Sequence, residues 1–174
     1  RAGLAVAHVV AAEAEPVILD ARELLRQYGL AAKKSWGQNF LVDGRSYSAI
    51  VRACALSPDD VAVEVGAGLG TLTSRLLATS ATVVAVERER DMCEVLRNEL
   101  GGRPRFTLQE ENALHLDIPA LAERFGRRLV IVGNLPYQIA SPLIFHFLAS
   151  RASVRRIVIM LQREMADRLL AAPG

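Results

Sequence analysis

From about residue 43 onward, short runs of Val, Ile and Leu alternate with longer stretches in which apolar residues return every three or four positions. The short runs VAVEVG (61–66), TVVAVE (82–87), RFTLQE (105–110), RLVIVG (128–133) and RRIVIML (155–161) have the length and β-branched content of strands. The stretches around them predict helices near 44–55, capped by Asp43, and near 70–79, 89–100, 117–126, 140–150 and 163–172. Strand runs with so little polar alternation are buried on both faces, which means a parallel sheet covered by helices. The fold class is therefore α/β, a doubly wound Rossmann-like sheet, and such sheets take their ligands at the carboxyl ends of the strands. Residues 1–30 read as an N-terminal extension with a helix near 17–28, and 31–174 as one domain.

Composition narrows this only a little. A chain of 174 residues that is 51% apolar can bury one core without disulfides or a metal. Cys54 and Cys93 lie far apart, without the clustered Cys/His spacing of a zinc site, so they read as reduced thiols of a cytoplasmic protein. The apolar start is broken by His8, Glu13 and Glu15, well short of the ~20 residues a membrane helix needs. The net charge of +2 conceals an uneven distribution. Residues 22–52 carry six Arg/Lys against two acids and 124–174 eight arginines against two acids, whereas 59–123 carry six arginines against twelve acids. Basic flanks around an acidic centre would let a polyanion dock beside a site built for a cationic ligand.

The candidate chemistry falls at the predicted strand ends. Glu64-Val65-Gly66-Ala67-Gly68-Leu69-Gly70 is a glycine-rich turn from strand to helix, where Gly66, Gly68 and Gly70 permit tight turning and close approach to a ligand. A dinucleotide fingerprint would require glycine at the position of Thr71. The acid before the turn would repel a pyrophosphate but suits the ammonium and sulfonium of S-adenosylmethionine. Glu87 closes the second strand, 17 residues past Gly70, where a carboxylate can accept bonds from both ribose hydroxyls. The fourth strand delivers GNLPY. The amide oxygen of Asn134 and the carbonyl of Leu135 could orient an exocyclic adenine amine, while Pro136 keeps Leu135 extended. Tyr137 could stack on a base that has left its helix. No step needs a metal or a nucleophilic residue, and His8, His115 and His146 read as incidental.

KKSWGQNFLVD, EVGAGLGTLT, VVAVERERD, GNLPYQIASPLIFHFL and VIMLQREMADRL, in this order, closely resemble the ribosomal RNA adenine dimethyltransferases, the KsgA (RsmA) type and its Erm relatives. The resemblance covers about residues 30–174. It implies a class I S-adenosylmethionine-dependent methyltransferase sheet, cut short before its last strands and its C-terminal helical RNA-binding domain. It also implies a monomer, without metal or membrane attachment, that dimethylates adenosines of 16S RNA in the immature small ribosomal subunit. In that family the segment matching GQNFL closes over the cofactor, which brings in Gln38, Asn39 and Leu41. Gly66 would meet the methionine part, Glu87 the ribose with Arg88 beside it, and Asn134 the point where the methyl passes to adenine. Family members usually carry aspartate after the third strand to bind the cofactor's adenine amine; here Asn112 stands in that place, followed by Ala113.

Other readings stay open. An Erm-type enzyme acting on large-subunit RNA would show the same motifs. A non-catalytic assembly factor that binds ribosomal RNA would keep the fold, although intact Asn134 and Tyr137 argue for chemistry. A nicotinamide-dependent oxidoreductase would share Glu87 but leave NLPY idle. Lys33, Lys34, Arg45, Arg155 and Arg156 are the candidate phosphate contacts.

Overall fold

A computed structural model describes residues 17–30 and 44–170. Its helices are α1 (Ala21–Gln27), α2 (Gly44–Cys54), α3 (Thr71–Leu77), α4 (Arg90–Leu100), α5 (Ile118–Phe125), α6 (Tyr137–Ala149) and α7 (Arg163–Leu170). Its strands are β1 (Val61–Val65), β2 (Thr82–Glu87), β3 (Phe106–Glu110), β4 (Leu129–Asn134) and β5 (Val154–Met160). All pair in parallel, in the order β3-β2-β1-β4-β5. The chain winds outward from β1 to β3 and then returns to lay β4 on the other side of β1. That reversal opens a crevice above the β1–β4 pair.

The inner strands carry the burial expected of them. Every residue of β1 is buried, as are Leu129–Gly133 of β4, whereas β3 and β5 at the two edges are only half covered. One sheet face packs Val63, Val65 and Ile131 against Leu121, Leu143 and Phe147 of α5 and α6. The other packs Ala62, Val83 and Val132 against Tyr47, Leu72 and Leu76 of α2 and α3. Each fully buried side chain of this kind contributes roughly 1.5–3 kcal/mol, and the two layers together hold the strand ends in place.

Several helix boundaries differ from those predicted: α1 starts at Ala21 and not near 17, and α3 ends at Leu77 and not near 79. Helix α6 begins at Tyr137, one turn before residue 140, and encloses Pro142. Periodicity favoured a start that left Pro142 in the first turn; in the folded chain Pro136 is already the N-cap, with φ −61° and ψ 138°, and its carbonyl accepts from the Ile139 amide at 3.2 Å. At the other end of the chain, α1 shares a core with the glycine turn. Leu19, Ala21 and Leu24 pack with Leu69, Leu96 and Leu100 in one buried cluster. Asp20 caps this helix, its Oδ1 accepting from the amides of Arg22 (2.9 Å) and Glu23 (3.0 Å). The predicted cap at Asp43 lies outside the described residues.

Candidate functional site

A cavity of about 390 Å³ opens at the carboxyl ends of the strands. Its walls come from the β1–α3 turn, the ends of β2 and β3, the tip of β4, and one side of α2. The sheet register explains why these segments meet. Glu64 pairs with Val132, so Gly133 stands level with Val65, and Asn134 with Gly66. Gly133 makes this juxtaposition possible: a Cβ there would lie 2.6 Å from the Val65 carbonyl oxygen, which is backbone and cannot yield.

Gly66 takes φ +72°, and a Cβ at that position would point into open space, so the turn leaves room there for a ligand. Gly66 and Gly68 line the cavity, but Gly70 does not. Gly70 is the left-handed N-cap of α3, and a Cβ on it would sit 2.8 Å from Leu96 Cδ2. The left-handed backbone conformation, with φ +78°, accounts for glycine at this position.

Glu87 is buried, and its carboxylate is bound by backbone amides: Oε2 accepts from Gly68 at 2.8 Å, and Oε1 from Arg88 at 2.8 Å and Glu89 at 2.9 Å. Oε2 keeps a further lone pair for a ligand, whereas Oε1 already accepts two bonds. Glu64 is also buried, yet its Oε2 makes no well-formed hydrogen bond, and neither does the Thr73 hydroxyl, which lies close enough to act on the carboxyl. Burial pushes the Glu64 carboxyl up to about 8; the Thr73 hydroxyl works against this, and the charge of Glu87 adds to it. A carboxyl of this kind suits a ligand that brings a cation to it.

Asn112, Ala113 and Arg88 line the cavity, as do Asn134 and Pro136 at the tip of β4. The Asn112 side chain caps the short 3₁₀ turn Ala113–His115, its Oδ1 accepting from the Leu114 amide at 3.1 Å. Leu135 turns its side chain into the core and donates its amide to the Met160 carbonyl at 3.1 Å. Gln38, Asn39, Leu41, Lys33, Lys34, His8 and the side chain of Tyr137 lie outside the described residues.

Several wall residues escape a sequence reading. Tyr47 and Ile50 reach the cavity from α2, and Met160 from the end of β5. The Tyr47 hydroxyl shares a 2.8 Å hydrogen bond with Thr71 Oγ1, and the Arg75 guanidinium carbon lies 4.5 Å from the Tyr47 ring centroid. The spacing of Tyr47, Ile50 and Cys54 marks an inward helix face, but periodicity does not tell a cavity wall from a core. Met160 could have been found, because it ends a fifth parallel strand.

The expected phosphate contacts fare differently. Arg155 donates to Asp60 Oδ2 at 2.9 Å, in the turn before β1, and Arg156 to the Ala53 carbonyl at 2.8 Å, at the end of α2. Arg45 is exposed in the first turn of α2. His146 bonds the Leu116 carbonyl at 2.8 Å and His115 is exposed; neither lines the cavity. Among the described residues no His, Cys, Asp and Glu cluster could hold a metal, and no helix is long and apolar enough to cross a membrane.

Residues 29–174 match the family model described as ribosomal RNA adenine dimethylase. Over 161 residues the chain is 53% identical to the ribosomal RNA small subunit methyltransferase A of Anaeromyxobacter dehalogenans, covering 88% of this chain and 56% of that protein. Among solved structures it resembles a dimethyladenosine transferase from Plasmodium falciparum (TM-score 0.63, 29% identity, 75% of this chain and 46% of that one). It also resembles the 23S rRNA methyltransferase ErmE (TM-score 0.66, 26% identity, 74% and 50%). The chain thus spans about half the length of the relatives it matches.

Proposed function

The chain belongs to the ribosomal RNA adenine dimethylase family, and from that premise we propose that it carries the catalytic site of an enzyme that dimethylates adenosines of small-subunit ribosomal RNA during ribosome biogenesis. The donor in this reading is S-adenosylmethionine, and the small-subunit assignment is supported by the relative at 53% identity. The observation that carries it is one cavity joining a glycine turn, two strand-end carboxylates and the Asn134–Pro136 tip. The Glu64 oxygen without a partner and the open space over Gly66 fit a cationic amino-acid group.

When bound, the cofactor supplies a methyl group already activated by a positive sulfur. The protein's task is then alignment, which can be worth on the order of 7–11 kcal/mol. Glu64 draws in the ammonium and Glu87 accepts from the ribose. Gly66 gives the methionine portion its close approach, with Gly68 and Arg88 alongside, and Asn112 and Ala113 bound the base. Asn134 Oδ1 and the Leu135 carbonyl accept from the target amine and orient its lone pair. Pro136 holds the tip extended, and Tyr137 stacks on the flipped adenine. Gln38, Asn39 and Leu41 close over the site, and Arg45 with Lys33 and Lys34 meets phosphate.

The test uses the full-length protein, labelled S-adenosylmethionine and immature small subunits, with the modified base mapped. Asn134→Ala should lower transfer by about a hundredfold or more while S-adenosylhomocysteine binding persists. Unchanged transfer would remove Asn134 from the mechanism. Labelling of large-subunit RNA alone would favour the Erm-type reading, and RNA binding without any labelling the assembly-factor reading.

A further inference from the structure

We propose that Asn112 turns its amide NH₂ group, and not its carbonyl oxygen, toward the base end of the cavity, so that the site reads acceptor atoms of the purine and is nearly indifferent to its six-amino group. The inference rests on the cofactor assignment above and concerns a specificity that this assignment leaves undefined.

The orientation follows from the cap. Asn112 has φ −75° and ψ 121° at the head of the 3₁₀ turn, its carbonyl accepts from His115 at 2.8 Å, and its Oδ1 accepts from Leu114 at 3.1 Å. Rotating the amide by half a turn would set NH₂ against the Leu114 N–H, donor facing donor, and leave the turn uncapped. With the oxygen committed to the chain, the planar group directs Nδ2 elsewhere. Among the described residues Nδ2 has no hydrogen-bond partner, and it is not a fully buried orphan either. Asn112 is half-buried and lines the cavity, so the donor remains available to whatever enters.

A six-aminopurine offers two kinds of partner there. Its ring nitrogens accept hydrogen bonds, whereas its exocyclic amine mainly donates. An NH₂ group pairs with the first and opposes the second. Next to it Glu111 also offers acceptor oxygens, one of which already receives the Gln109 side-chain amide. Aspartate at position 112 would behave otherwise: one oxygen could keep the Leu114 cap while the other accepted from the amine.

The experiment is calorimetric titration of the full-length protein with S-adenosylhomocysteine and with its analogue bearing hydrogen in place of the six-amino group. For the wild type the two dissociation constants should agree within about threefold, since no hydrogen bond is lost. Asn112→Asp should bind S-adenosylhomocysteine about fivefold tighter and discriminate against the analogue by about tenfold or more. A wild-type preference for the amine of about tenfold or more would overturn the proposal, as would an aspartate variant with an unchanged ratio. If the wild-type preference disappears in Glu111→Gln, the amine is read by Glu111 and the proposal is likewise overturned. Failure of the wild type to bind either compound would instead refute the cofactor assignment. Should the aspartate variant not fold, the wild-type ratio alone decides.

Discussion

Glu64 and Glu87 stand at the ends of neighbouring parallel strands, are equally buried, and line the same cavity, yet their surroundings are opposite. Three backbone amides converge on Glu87, so its charge is compensated by the chain itself and it builds the turn that holds it. Glu64 keeps one oxygen unpartnered, and burial raises its carboxyl to about 8, so in the ligand-free protein it is mostly protonated at neutral pH. One carboxylate has already received its compensation from the backbone; the other keeps an oxygen that the chain leaves uncompensated.

The widest break in this contrast should come from Glu87→Ala. It leaves the amides of Gly68, Arg88 and Glu89 without their acceptor, a loss of roughly 3–5 kcal/mol in urea unfolding, with S-adenosylhomocysteine binding abolished. A loss below about 1 kcal/mol would mean that water replaces the carboxylate and that Glu87 does not build the turn.

Proton linkage at Glu64 sharpens the comparison next. Its folded value of about 8 lies above the ordinary 4.5, so between those limits the folded chain keeps a proton that the unfolded chain has released. The contribution to stability is complete below pH 4.5 and lost as pH rises to about 8, on the order of 5 kcal/mol in all. Glu64→Gln should flatten that decline in denaturation midpoints across the window and weaken binding of the cationic cofactor. Identical slopes in the two proteins would show that Glu64 does not titrate there.

The smallest effect is expected from Thr73→Val. The buried hydroxyl sits beside the Glu64 carboxyl but makes no well-aligned hydrogen bond, so its removal should change stability by no more than about 1 kcal/mol. Because that hydroxyl lowers the Glu64 value, the pH midpoint should move upward. A clear destabilisation would place a water between the two side chains.

The parallel sheet and the convergence of strand ends were legible because buried β-branched runs and glycine turns are local signals. Gly66 and Glu87 could be picked out for that reason. Gly70 looked identical to its neighbours, and only the fold shows that it heads α3 facing Leu96, Leu100 and Leu19. The need for Gly133 is invisible locally, since the atom it must avoid belongs to Val65, on another strand. The Arg155–Arg156 pair carried the composition of a phosphate site, but composition could not reveal that the end of α2 would offer carbonyls to it. The amide orientation of Asn112 likewise depends on a turn only three residues long.

The docking of α1 bears on how ligand affinity would respond to trimming of the chain. The Leu19 amide donates to Ser74 Oγ at 3.1 Å, its carbonyl accepts from Arg75 at 3.2 Å, and its side chain would lie within 3.3 Å of a Cβ at Gly70. The start of α3, just after the glycine turn, is thus buttressed by a stretch some fifty residues upstream. Removing that buttress should register as a softened grip on the small molecule, not as the harmless shedding of a tail.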